Sequence, residues 1–351
     1  MNKKIITLIF SVILFFGLSL SPSLDKEGLG AVEVSAAATS YEKLFYFREG
    51  PNARKSFFAN PKSIDIFAPQ NYMVDKEGLL FGSVKPDLLT FAKKNKIKVM
   101  PLLTNGNFST TTCDKFLNSI TAQEMLINSL ILEAKNFGYI GWQIDFEQMD
   151  LSYRDKFSEF IERTYVMFQK NNLKLSVAVI AQVSENPDDY PNNLWQRIIG
   201  VYDYSRLSFS SDFISIMSYD DPNSIGPVAG YAWLKKVIDF SLTKIQSEKI
   251  SLGLAFYYWQ WRDIDGKRTG IGGNEGIQNV LKKYKVTFSF SEEEQAPYFH
   301  YWSKDGKGYT IWYENAKSIG QKIALLKKHK LKGFSAWALG LELSSVYTVM
   351  K

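Results

Sequence analysis

From Tyr41 onward the chain alternates two kinds of apolar pattern. Short β-branched or aromatic runs recur at Lys43–Phe47, Ile64–Ala68, Ile97–Leu103, Ile140–Phe146, Lys174–Ala181, Phe213–Ser218, Ile250–Tyr257 and Gly333–Leu339, and each predicts a strand. Amphipathic stretches lie between them. The clearest, Thr121–Phe137, repeats Ile127, Leu130, Ile131 and Ala134 at helical spacing, and Thr121 with Glu124 makes a capping-box pattern. Ser152–Lys170 sets Phe157, Phe160, Ile161, Tyr165 and Phe168 on one face, and Trp233–Thr243 and Glu314–Lys328 are built alike. Eight strands, each followed by a helix or long connection, predict an α/β fold of the closed (β/α)₈ TIM barrel kind. A doubly wound open sheet is the rival, but no Gly-rich phosphate loop follows the first strand. Between Trp261 and Trp312 the alternation lapses. A Gly-rich segment, Gly266–Gly276, leads to a polar helix and then Thr287–Phe290, Tyr298–Ser303 and Tyr309–Tyr313. This predicts a small α+β insertion, residues 262–311, between strand seven and its helix, inside a catalytic domain of residues 41–351.

The first residues follow different rules. Met1–Lys4 is short and basic, Ile5–Leu20 is largely apolar, and Val34-Ser35-Ala36 and Ala36-Ala37-Ala38 both suit a signal peptidase. Residues 1–38 therefore read as a signal peptide with a short leader, and the protein as secreted or associated with the cell wall. The apolar run is slightly short for a spanning helix, which makes an uncleaved membrane anchor the lesser reading.

Composition narrows the chemistry. Of 351 residues, 45% are hydrophobic and 22% charged, which excludes a disordered chain. One cysteine, Cys113, excludes an intrachain disulfide. Two histidines, His300 and His329, leave little room for a histidine metal centre or a nucleophilic triad, so no metal and no organic cofactor is expected. The net charge of +6 suits an anionic surface such as a bacterial wall, and without a dense Lys/Arg run nucleic acid is not the expected partner. Aromatic residues reach 15%, a surplus of flat apolar surface of the kind on which sugars stack.

The candidate site lies in Gly138-Tyr139-Ile140-Gly141-Trp142-Gln143-Ile144-Asp145-Phe146-Glu147. Side chains alternate along a strand, so Trp142, Ile144 and Phe146 share one face and Gln143, Asp145 and Glu147 the other. In a barrel the apolar face meets the helices. The inward face then carries an amide and two carboxylates, which is costly unless they are hydrogen-bonded or functional. Carboxylates two residues apart raise one another's pKa, which keeps one protonated as a general acid. Glu147, longer and nearer the rim, is the natural acid and Asp145 its support. A pair on one strand cannot easily straddle a sugar ring, so the arrangement favours substrate-assisted hydrolysis. Met217 and Tyr219 share a face at the end of the sixth run, and Trp337 in the eighth could floor a sugar site.

Together these residues resemble glycoside hydrolase family 18, the chitinase-like family, over most of the chain. The family's fourth strand carries D-G-x-D-x-D-x-E, and the resemblance places Glu147 on its catalytic acid and Asp145 on the Asp that orients the substrate acetamido group. Met217-Ser218-Tyr219-Asp220 resembles the sixth-strand M-x-Y-D, and Trp337 the eighth-strand Trp. Leu252–Tyr257 followed by Trp261 is similar to the seventh strand. The resemblance implies Glu147, Asp145 and Tyr219 as catalytic residues, with Trp337, Gln143, Met217, Asp220, Tyr46, Tyr257 and Trp261 binding substrate. Two positions depart from the pattern: its first Asp is Ile140 and its middle Asp is Gln143, an amide expected to hydrogen-bond Asp145. Ile311–Ile319 and Trp337-Ala338-Leu339-Gly340 are most similar to the bacterial branch that includes spore-germination and spore-cortex glucosaminidases. The implied protein is a secreted, monomeric retaining glycosidase whose partner is a polysaccharide containing N-acetylglucosamine, in cell wall, spore cortex or chitin. The alternative is an inactive glycan-binding relative on the same barrel.

Overall fold

The computed structural model describes residues 41–350, and the signal-peptide reading of residues 1–38 lies outside them. Eleven strands form the main sheet. In chain order the first ten are β1 (Glu42–Phe47), β2 (Ile66–Pro69), β3 (Tyr72–Val74), β4 (Leu80–Gly82), β5 (Lys98–Val99), β6 (Leu102–Asn105), β7 (Gly141–Asp145), β8 (Lys174–Ile180), β9 (Phe213–Met217) and β10 (Ile250–Ala255). A second sheet follows, made of β11 (Tyr258–Arg262), β12 (Lys267–Gly272), β13 (Val286–Ser291), β14 (Ala296–Trp302) and β15 (Gly308–Trp312). The chain then returns to the main sheet with β16 (Gly333–Trp337).

The main sheet runs β4-β3-β6-β7-β8-β9-β10-β16-β1-β2-β5, parallel except for the β3–β4 hairpin, and is curled with helices on its outer face. It is TIM-barrel-like, but it is not the closed eight-stranded ring that the alternation predicted. One of the predicted strands is broken, and the short strand β3 lies outside every predicted run. The third run is split at Met100-Pro101, where proline has no N–H to give the ladder. The second gives β2, and after a break at Gln70-Asn71 the chain resumes as β3. β2 pairs with β5 and β3 with β6, so the ladder ends at β5 on one side and at the added strand β4 on the other.

The helices fall close to their predicted spans. Ile120–Phe137, Arg154–Lys170, Tyr231–Leu242 and Ala316–Lys328 bury their apolar stripes against the sheet. The capping box at Thr121 is not formed. Ser119, two residues earlier, caps the helix by accepting from the Ala122 N–H, and Gly138 closes the far end in the left-handed region (φ 71°). A capping box does form at Asn315 and Ser318. The insertion is larger than expected. The hairpin β11–β12 belongs to it, so it begins at Tyr258 rather than 262. Strongly polar Arg262–Arg268 hides that hairpin from a hydrophobic-pattern reading.

The two faces of β7 show how the fold delivers polar groups inward. Trp142, Ile144 and Phe146 are fully buried among helix residues, with the Trp142 indole donating to the Leu130 carbonyl and Phe146 packed against Phe116, Phe157 and Phe160. Inward, the Gln143 amide donates to the hydroxyls of Ser176 on β8 and Ser215 on β9, both at 2.8 Å. Ser215 continues to Ser335 on β16 (2.8 Å), which meets Ser251 on β10 (2.6 Å). This belt of small hydroxyl residues leaves an open, polar floor beneath the C-terminal strand ends.

Candidate active site

A cavity of about 390 Å³ opens at those strand ends. Eight of the ten predicted site residues line it: Tyr46, Asp145, Glu147, Met217, Tyr219, Asp220, Tyr257 and Trp337. Asp145 is the last residue of β7 and is 3% exposed, while Glu147 stands two residues beyond, half-buried. Tyr219 and Asp220 follow β9, Tyr257 follows β10, and Trp337 ends β16 with its ring 5.3 Å from that of Tyr46.

Two predicted residues sit elsewhere. Gln143 is a floor residue beneath the cavity. Its amide nitrogen is taken by Ser176 and Ser215 and its oxygen has no protein partner, so the expected bond to Asp145 is not made. The reason is the register: β7 sets Gln143 beside Ser176, and serines nearer than the carboxylate capture the amide. Trp261 lies on the second sheet, edge-to-face with Trp259, its indole donating to the Gly226 carbonyl at 2.7 Å, outside the cavity.

The backbone that presents Glu147 is held on both sides. The buried Asn105 side chain at the end of β6 accepts from the Glu147 N–H and donates to the Glu147 carbonyl, each at 2.9 Å. The Tyr202 hydroxyl donates to the Phe146 carbonyl at 2.7 Å. Neither was foreseen. Both act through backbone groups, and a sequence pattern does not mark which side chain will reach a distant peptide. Arg48, Leu341 and, from the β12 strand, Ile271 and Gly272 also join the rim without a sequence signal.

The electrostatics are those of an acid site. Burial, and then repulsion from Asp220, lift Glu147 from 4.5 to about 7. Burial and the charge of Glu147 push Asp145 well above the usual carboxylate range, with the Gln70 side chain working in the opposite direction. One Asp145 oxygen is buried without a partner in the protein, and the residue lines the cavity. Burial foremost, then the neighbouring tyrosines and carboxylates, holds Tyr219 protonated, which keeps its hydroxyl a donor. Asp220, with φ 61°, accepts from the Tyr257 hydroxyl at 2.7 Å. Among the described residues no group of His, Cys, Asp and Glu has metal-binding proximity, and no helix is long and apolar enough to cross a membrane.

A barrel-like sheet whose strand ends gather Asp145, Glu147 and Asp220 in one cavity with Tyr46 and Trp337 suits a hydrolytic enzyme of the glycosidase class. The chain belongs to glycosyl hydrolases family 18, whose model matches residues 56–342. It is 29% identical over 296 residues to the uncharacterized glycosylase YvbX of Bacillus subtilis (strain 168), covering 82% of this chain and 84% of that protein. It is 24% identical to the cortical fragment-lytic enzyme of the same organism, over 77% of this chain but 63% of the relative's length. Among solved structures, the spore cortex-lytic enzyme SleL of Bacillus megaterium superposes with a TM-score of 0.77 at 25% identity, covering 88% of this chain and 73% of SleL. A chitinase from Chromobacterium violaceum gives 0.78 at 25% identity, covering 89% and 98%.

Proposed function

We propose that this glycosidase cleaves β-linked N-acetylglucosamine polymers with retention of configuration, using the substrate's own acetamido group as the nucleophile. The observation that carries the reading is the placement of Asp145 and Glu147 at and just beyond the end of one strand, opening together into one cavity. Carboxyls so placed do not flank a sugar ring from two sides, as an enzyme nucleophile and acid must. Asp220 reaches the cavity from another strand end, but its carboxylate is engaged by the Tyr257 hydroxyl.

Glu147, protonated below about pH 7, gives its proton to the glycosidic oxygen. The acetamido oxygen attacks the anomeric carbon as the bond to the leaving sugar breaks, forming a cyclic oxazolinium ion. Asp145, which lines the same cavity, accepts the acetamido N–H and so orients the group for attack. Tyr219 donates to the acetamido oxygen and Trp337 stacks beneath the sugar. Glu147, now ionised, takes a proton from the incoming water, which opens the ring and restores the starting state. The scheme uses no metal or organic cofactor.

The relatives point to two polymers, spore-cortex peptidoglycan for the cortical enzymes and chitin for the chitinase, and the predicted export signal suits either. The test is turnover of soluble β-1,4-linked N-acetylglucosamine oligomers beside glucose oligomers of equal length, with purified cortex, vegetative wall and chitin digested in parallel. The reading expects cleavage of the acetamido oligomers and none of the glucose ones. Equal cleavage of both, or of neither, removes it.

A further inference from the structure

Behind the main cavity lies a second chamber of about 190 Å³. The two share Glu147, Met217, Tyr219 and Asp220, so the acid stands at their junction. Asp145, Tyr46 and Trp337 line the large cavity and not the small one. If the sugar that suffers attack lies over Trp337 with its acetamido group on Asp145, the leaving sugar begins in the small chamber. That direction rests on the reading given under Proposed function.

The two sides differ in charge. The small chamber is walled by apolar side chains, Ile180, Leu194, Ile198 and Trp233 among them, and its ionisable groups are the carboxyls Glu147 and Asp220. The large cavity shares those two carboxyls and adds Asp145, but it alone has a cation in its lining, Arg48, which stands two residues beyond Tyr46 past the end of β1. The adjacent Glu49 is turned to Arg54 and Lys85, and among the described residues Arg48 itself forms no ion pair.

We propose that the cleft reads the direction and substitution of its glycan by charge: Arg48 pairs with a carboxylate on the sugar side retained in the large cavity, and the small chamber accepts a leaving sugar whose substituents are uncharged. A carboxylate in the small chamber would lose its water against apolar walls with no cation there to pair with it. The same group near Arg48 gains a solvated ion pair. A homopolymer without acidic groups leaves Arg48 without an anionic partner. The substrate class is therefore an N-acetylglucosamine glycan that carries an acidic substituent on the retained side and none on the sugar that departs.

The experiment uses the full chain and three β-1,4-linked N-acetylglucosamine tetramers. One is neutral, one carries a single O-carboxymethyl ether on the sugar two units before the bond cut, and one carries it on the sugar just after. Products are mapped by mass spectrometry so that each cut bond is known. The expected kcat/KM for the first acidic isomer exceeds the neutral value by about threefold to fivefold, the size of a solvent-exposed ion pair. That ratio falls to about one in Arg48→Gln and with added salt. The second acidic isomer is cut at least about tenfold more slowly than the neutral oligomer at the same bond, and Ile198→Lys narrows that gap. Equal rates for the two isomers, or a preference for the leaving-side carboxylate, overturn the proposal. Failure to cut even the neutral oligomer would instead count against the proposed activity.

Discussion

Replacing Glu147 with Gln should make the protein nearly inactive and, above neutral pH, more stable. Glu147 has an ordinary pKa of 4.5 and is lifted to about 7, first by burial and then by Asp220. Between those values the folded state binds the proton more tightly than the unfolded state, so wild-type stability falls as pH rises through this window. The penalty is absent below 4.5 and complete above 7. At ~1.36 kcal/mol for each pKa unit it amounts to roughly 3 kcal/mol. Glutamine keeps the shape and never ionises. Urea unfolding of wild type and Glu147→Gln should therefore give equal stabilities near pH 4.5. The variant should gain progressively up to pH 7 and hold a constant advantage beyond it. Taking the difference between the two proteins cancels the titration of groups away from the site. Turnover should drop by at least ~10²-fold, because an amide cannot supply the proton. A stability difference that does not change between pH 4.5 and 8 would refute the argued environment of Glu147, and activity within threefold of wild type would refute its role.

Other expectations follow from the same geometry. The rate should fall as pH rises through about 7, when the acid loses its proton, and Asp220→Asn should move that limb to lower pH by at least ~0.5 unit, because a neighbouring negative charge is removed. Asn105→Leu strips both backbone partners from Glu147; kcat should fall about tenfold or more with KM within twofold, and stability by roughly 1–3 kcal/mol, read from initial rates and urea unfolding. Gln143→Met leaves the Ser176 hydroxyl without its side-chain partner and takes one of two from Ser215, and should cost roughly 1–3 kcal/mol, yet leave the pH–rate profile in place, since the amide does not touch Asp145. Lys322 and Glu314 form a buried ion pair, so Lys322→Met alone should destabilise by about 3–5 kcal/mol, and adding Glu314→Gln should recover much of it.

The alternating pattern on β7 was enough to place three polar side chains on the inner face, because period two leaves no freedom once Trp142, Ile144 and Phe146 are committed to the helices. The strand and helix order was legible for the same reason. What the pattern could not carry was continuity of the ladder. Pro101 interrupts a run that otherwise reads as one strand, and the hairpin Tyr258–Gly272 has too many charges to read as sheet. Within the site, residues on the strand ends were visible through their alternation and their likeness to the family. Arg48, Asn105, Tyr202 and the residues Ile271 and Gly272 were not. They reach the site through long-range packing, as when a peptide group 42 residues away is met by the Asn105 amide. Gln143 shows the converse error: its face was read correctly, but a one-dimensional pattern does not reveal that serines on neighbouring strands lie at the same height.

Either the substrate or the enzyme makes the new bond to the anomeric carbon. Intact-protein mass spectrometry during incubation with an activated 2-deoxy-2-fluoro glycoside, alongside inhibition by an acetamido-derived thiazoline, answers this directly. Substrate assistance predicts an unmodified protein mass and competitive inhibition by the thiazoline, which mimics the cyclic intermediate. A glycosyl adduct mapped to Asp145, Glu147 or Asp220, with the thiazoline inert, would contradict it.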